Sequence, residues 1–239
     1  IIITCLLMTG GSVHAMVVDH SLFASLLDRH LKAGMVDYKG FQKDEAILDQ
    51  YLDRLAAVDP EVLSNQEQFA FYANAYNAWT LKLILSRYPD IGSIKELGSI
   101  FKSPWKKKIA RIDGQLLTLD QIEHDILRKR FKDPRVHFAV NCASKGCPPL
   151  QEEPFTGSRL DDQLNRATMH FINASHFNRL EGDILWVSKI FDWFPEDFND
   201  DVIGYFIQFA DAPLRDQLEK NRDRIRVKYL DYDWSLNGT

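Results

Sequence analysis

The sequence predicts a helix-rich α+β fold, a single domain over residues 16–239 with a small sheet around a buried central helix. Three observations predict it. Between Phe69 and Tyr88 apolar and aromatic residues cover nearly every helical face, which leaves no side for water. Amphipathic helical repeats precede and follow that segment, while strand-like runs are few and short. No linker, low-complexity tract or internal repeat divides the chain, so helices and strands share one body.

Each element has its own signal. Leu22, Leu26, Leu27 and Leu31 recur at helical spacing, and Gly34 stops that helix. Val36-Asp37-Tyr38 reads as a short extended piece. Ile47, Leu48, Tyr51, Leu52 and Leu55 form a second amphipathic helix that ends before Pro60. Ser64-Asn65-Gln66-Glu67 is a capping box that opens the central helix, and Pro89 closes it. Ile109 to Leu117 reads as a hairpin about Asp113-Gly114. Thr118-Leu119-Asp120-Gln121 is a second capping box, opening a helix through Arg128. Val136 to Val140 is an apolar run read as an interior strand. A helix over Leu160–Ala174, a strand at Ile184–Val187, helices near Val202–Phe209 and Leu214–Lys220, and a strand from Arg226 complete the chain.

Residues 1–15 read as a signal peptide truncated at its start. Ile1 to Met8 is an apolar core, and Val13-His14-Ala15 is a small-x-small cleavage site. The expected product is exported, periplasmic or secreted, and without a transmembrane segment. Ile3-Thr4 before Cys5 is a poor lipoprotein box, so a lipid anchor is not expected. The net charge of -5 argues against nucleic acid as a partner. Trp105-Lys106-Lys107-Lys108 is a local basic cluster read as a solvated loop.

The run Arg135 to Leu150 gathers the chemistry. It holds His137, Asn141, Cys142, Ser144 and Cys147, whereas the remaining cysteine, Cys5, lies in the leader. On a strand, His137 and Asn141 share one face and Cys142 takes the other, so a bend at Asn141-Cys142 is needed to bring thiol and imidazole together. A cysteine nucleophile needs a base in reach and a third group to orient that base. Glu123, Asn74, Asn77 and Asp192 are the candidates for that third group. Arg135 is expected to clamp a carboxylate such as Glu123. Asn74 and Asn77, three apart on one face of the buried helix, require hydrogen-bond partners from elsewhere. The spacing C-x4-C with one upstream histidine is not a zinc pattern, and neither a metal nor a cofactor is expected. In an exported protein the same two cysteines can instead form a disulfide.

At these residues the chain resembles the family called domain of unknown function 547. The segments are Val36-Asp37-Tyr38, Ala70 to Ala78, Leu117-Thr118-Leu119 with Ile122-Glu123-His124, Arg135 to Pro149, Phe191-Asp192-Trp193-Phe194, and Tyr232 to Asn237. They run in family order and cover nearly all of the chain after residue 15. The resemblance implies one intact domain with a shared polar site, and it supplies no reaction.

Two functions follow as expectations. The first is a cysteine/histidine-dependent hydrolase or acyl transferase, with Cys142, His137, Asn74 and Glu123 catalytic and Asn77, Asn141, Arg135, Ser144 and Trp193 binding. Its order is loosely similar to papain-like and transglutaminase-like folds, although those place the nucleophile on the central helix and this helix has no cysteine. The second is a non-enzymatic cell-envelope binding module in which a Cys142–Cys147 disulfide braces the loop. The partner in either case is a small molecule or peptide, since the aromatic segment Phe191–Phe198 suits a groove.

Overall fold

The computed structural model describes residues 16–99 and 102–238. The predicted leader and Cys5 lie outside the described residues. The architecture is a helix-rich α+β fold organised around one buried helix. α1 (Ser21–His30) runs into a hairpin of β1 (Leu31–Lys32) and β2 (Met35–Val36). Ala33 and Gly34 turn that hairpin with φ of 49° and 77°, the left-handed pair that suits strand twist. The extended piece expected at Val36–Tyr38 ends early. The Asp37 carboxylate accepts from the Gly40 amide at 2.8 Å and starts α2 (Tyr38–Lys43). α3 (Glu45–Ala56) then leads to the central helix, α4 (Asn65–Leu85).

In α4 every residue from Glu67 to Leu85 except Lys82 is buried. Lys82 reaches out to Glu45 and Asp49 of α3. Ser64 caps the helix by accepting from the Glu67 amide at 3.2 Å. The return half of that capping box does not form, because the Glu67 carboxylate accepts from the Gly157 amide at 3.0 Å instead. Asn74 behaves in the same way. Its amide donates to Phe155 O at 2.8 Å and its carbonyl accepts from Phe155 N at 2.9 Å. Asn77 donates to Ala139 O at 2.9 Å and accepts from Asn141 N at 2.8 Å. Glu67, Asn74 and Asn77 of α4 are therefore each bound to backbone from outside the helix, and each pins a distant segment to it.

β3 (Lys108–Ile112) and β4 (Gln115–Thr118) form the predicted hairpin, with Asp113 and Gly114 at φ 46° and 67°. The second capping box forms in full: Thr118 N donates to Gln121 Oε1 and Gln121 N to Thr118 Oγ1, both at 3.0 Å. The helix it opens, Gln121–Phe131, is wound as a π-helix and runs past Arg128. Widened turns of this kind concentrate at functional sites.

Val136–Val140 is not a strand. α5 (Val136–Ala139) is a single helical turn. The Asp133 carboxylate accepts from the Arg135 amide at 2.9 Å, and Val136 N donates to Asp133 O at 3.1 Å. This Asp133-Pro134 turn just ahead of the helix leads the chain into a helical turn in place of the strand expected from the apolar run.

α6 (Leu160–Asn173), α8 (Val202–Phe209) and the short α7 (Ile190–Trp193) surround a second, aromatic core. Phe138, Phe171, Phe191, Phe198 and Phe206 are fully buried there. β5 (Arg179–Glu181) and β6 (Ile184–Val187) form a hairpin, and after α9 (Ala212–Asn221) β7 (Arg226–Tyr229) joins β6 in parallel. Among the described residues the strands thus fall into three small sheets rather than one. No helix among them is long and apolar enough to cross a membrane.

Candidate functional site

The cysteine loop is fixed before its chemistry begins. Val140 leaves α5 in extended conformation, φ -100° and ψ 137°. Asn141 then ties the loop internally. Its carbonyl accepts from Ala143 N at 2.9 Å and Asn237 Nδ2 at 3.1 Å, and its amide donates to Pro148 O at 2.8 Å. Ala143 follows with φ 61°, a left-handed conformation that a non-glycine residue holds only under constraint. The constraint comes from the C-terminal segment. Lys145 N donates to Ser235 O at 2.9 Å, Gly146 N to Asp233 O at 2.8 Å, and Asn237 N to Ala143 O at 3.2 Å. Glycine at 146 suits this contact, since a Cβ there would sit a tight 3.0 Å from Asp233 N and the Tyr232 ring. Asn237 is held in turn by the buried Tyr38 hydroxyl, which donates to its side-chain oxygen at 2.6 Å.

This frame holds two free thiols. The predicted Cys142–Cys147 disulfide is absent, and both cysteines are free. The Cys142 amide donates to Cys147 Sγ at 3.0 Å. Around Cys142 Sγ stand the Ser144 hydroxyl at 3.1 Å and the Tyr232 hydroxyl at 3.2 Å. The Cys147 thiol, by hydrogen-bonding Cys142, lowers the Cys142 pKa. Burial opposes that, and Ser144 and Tyr232 add to it. Burial and then the same bond push Cys147 well up. The two thiols are thus drawn in opposite directions, Cys142 down and Cys147 up.

Cys142 opens onto a cavity of ≈ 200 Å³, lined also by His137, Glu123, His124, Cys147 and Trp193. His137 enters it from α5 with its side chain 2% exposed. Its Nε2 hydrogen-bonds Asp197 Oδ2 at 2.6 Å, and its ring stacks on Phe194 with centroids 4.5 Å apart. Arg128, from the π-helix, donates to the same carboxylate oxygen at 2.5 Å. Partial burial works to raise the Asp197 pKa, yet the bonds from His137 and Arg128 hold it down at about 2. Among the described residues the His137 imidazole has no second hydrogen-bond partner, and no hydrogen bond joins it to Cys142. Glu123 stands against Tyr76, whose hydroxyl burial and then Glu123 push well above its usual range. Trp193, Tyr232, Trp234 and Trp105 form an aromatic wall, with neighbouring centroids between 4.5 and 5.8 Å apart.

The structure therefore brings together Cys142, His137, Glu123 and Trp193 on one cavity, with Ser144 behind the thiol. Asn74 stands apart, gripping Phe155 and within 3.3 Å of His20. Asn77 and Asn141 hold the backbone of the cysteine loop. Arg135 does clamp carboxylates, but they are Asp133 and Asp161, not Glu123. Asp192 pairs with Lys189, and the group that orients His137 is Asp197. Asp197, Tyr232 and Arg128 were not legible as site residues. Asp197 sits in the aromatic-acidic segment and Tyr232 in the C-terminal run, but which acid or hydroxyl points inward depends on tertiary contacts.

Residues 60–172 match the family model described as Protein of unknown function, DUF547. That span carries α4, the π-helix and the cysteine loop, whereas Trp193, Asp197 and Tyr232 lie beyond it. No curated protein and no solved structure matches the chain.

Proposed function

We propose, with residues 60–172 matching the DUF547 family, that this protein is a thiol-dependent hydrolase or acyl transferase with Cys142 as nucleophile. One observation carries the reading. A half-buried sulfur with hydroxyl donors at 3.1 and 3.2 Å opens onto the same cavity as a histidine anchored by a carboxylate at 2.6 Å. A nucleophile and an acid–base group on one cavity, with a carboxylate orienting the second from behind, are the parts that acyl transfer requires.

In the reaction, Cys142 S⁻ bonds to the acyl carbon of an ester, thioester or amide, and the carbonyl π electrons move to oxygen. Collapse breaks the bond to the leaving group, which takes a proton from His137. Water or a second acceptor then attacks the thioester, gives its proton to His137 and restores the thiolate. Asp197 fixes the imidazole through Nε2, which leaves Nδ1 to face the reacting atoms. The step requires His137 to come within hydrogen-bond reach of the reacting atoms when substrate fills the cavity. The aromatic wall of Trp193, Trp105 and Trp234 supports an apolar or aromatic acyl group.

The test pairs alkylation with acylation. The rate of iodoacetamide modification of Cys142 is followed against pH, and a panel of activated esters and thioesters is screened for a burst and for a mass adduct on Cys142. The reading expects a midpoint below the free-thiol value of ~8.5 and an acyl adduct that Cys142→Ser abolishes. Turnover retained by Cys142→Ser overturns it. A ligand bound equally by the wild type and Cys142→Ser, without turnover, gives the site to the rival binding module.

A further inference from the structure

We propose that the same pocket reduces small hydroperoxides, with Cys142 as the attacking thiol and Cys147 as the thiol that resolves it. The inference rests on Cys142 being the reactive nucleophile of the acyl-transfer reading, but it assigns a role to a group that reading leaves idle. Acyl transfer uses one sulfur. Cys147 is buried, lines the same cavity, and lies with its Sγ 3.0 Å from the Cys142 amide. A half-exposed low-pKa thiol beside a second, protonated one is the arrangement that peroxide-reactive cysteines share. The Ser144 and Tyr232 hydroxyls that ring Cys142 Sγ at 3.1 and 3.2 Å stand where donors to a peroxide oxygen are needed.

The step balances without further groups. Cys142 S⁻ attacks the terminal oxygen of ROOH. An S–O bond forms, the O–O bond breaks, and Cys142 becomes the sulfenic acid. The departing RO⁻ takes the Cys147 proton and leaves as ROH. Cys147 S⁻ then attacks the Cys142 sulfur, the S–S bond forms and the S–O bond breaks, releasing hydroxide. Two electrons pass from the sulfurs to the peroxide. A dithiol reductant returns both thiols by thiol–disulfide exchange.

Reduced protein is treated with hydrogen peroxide, with and without dimedone, and read by intact and peptide mass. The wild type is expected to lose two hydrogens, with Cys142 linked to Cys147, and to recover them with a dithiol. Cys147→Ser is expected to gain one oxygen at Cys142 that dimedone traps, and Cys142→Ser to show neither change. A wild type that accumulates the dimedone adduct as Cys147→Ser does, or stays unoxidised, overturns the proposal. Iodoacetamide labelling of the same samples separates the two readings. Labelling at Cys142 without a peroxide-driven disulfide sinks the peroxide role alone, and no labelling sinks both.

Discussion

Asn77→Ala is the substitution that couples stability to the thiol most directly. Asn77 gives a hydrogen bond to Ala139 O at 2.9 Å and takes one from Asn141 N at 2.8 Å. Both loop residues are buried, so alanine leaves a carbonyl and an amide without partners and without water. Each orphaned group costs about 1–3 kcal/mol, so the expected loss is about 2–6 kcal/mol. Asn74→Ala is the matched comparison, since it strips two bonds from Phe155 at 2.8 and 2.9 Å, away from the thiols. Urea denaturation should therefore give losses of similar size for the two variants. Their thiols should differ. Asn77 holds the residue before Cys142, so Asn77→Ala loosens the ring of donors and moves the alkylation midpoint up toward ~8.5. Asn74→Ala should leave the midpoint where it was. A stability loss for Asn77→Ala within the ~0.5 kcal/mol of an ordinary surface change refutes the reasoning. So does an equal midpoint shift in both variants.

Three further outcomes are expected. Tyr232→Phe removes a donor to Cys142 and should raise the alkylation midpoint by about one pH unit, the effect of one hydrogen bond of ~1.5 kcal/mol to a charged group. An unchanged profile would mean that Tyr232 does not support the thiolate. Burial depresses the His20 pKa to about 4, against ~6.5 unfolded. The unfolded chain therefore binds the proton more tightly, and stability is whole above pH ~6.5 and falls toward pH 4 by up to ~1.4 kcal/mol per unit. Thermal melts across that window should show the slope, and His20→Gln should flatten it. Asp197, held at about 2, gives stability that is present above pH ~4 and lost as pH falls toward 2. Asp197→Asn should abolish that acid loss and cost about 1–3 kcal/mol at neutral pH by removing the carboxylate of His137 and one of the two that Arg128 holds, the other being Glu196.

Much of the fold is written locally, and the exceptions have physical causes. The central helix is legible because apolar side chains on every face admit no amphipathic alternative. Both left-handed hairpin turns carry glycine at their second position, and Thr118 with Gln121 forms the box its spacing predicts. Val136–Val140 is different. Four or five apolar residues cannot separate strand from helix by periodicity. The deciding residues are Asp133 and Pro134, just upstream, and the turn they form, with the Asp133 carboxylate accepting from Arg135 N, was the available signal. Glu67 shows a second kind of limit. Its box partner is correct in type, but a tertiary donor, Gly157 N, outcompetes the local one.

The helix at Val136–Ala139 also changes what the site requires. On a strand, His137 and Cys142 face opposite ways and only a bend can reconcile them. As a helical turn, Phe138 is sent into the aromatic core beside Phe171, while His137 lies against Phe194 and Asp197. Val140 and left-handed Ala143 then bring the thiol round to the same cavity. The bend is thus distributed over several residues, and each stage is secured from outside the loop: Asn77 at its entry, Asn237 at Ala143, and Asp233 at Gly146. Those anchors lie some 60 residues before and 90 after the thiol in the chain. No window around Cys142 could reveal them. They also explain why the C-terminal run belongs to the site: it supplies the Tyr232 donor to Cys142 and, through Asp233, Ser235 and Asn237, fixes the loop that carries the thiol.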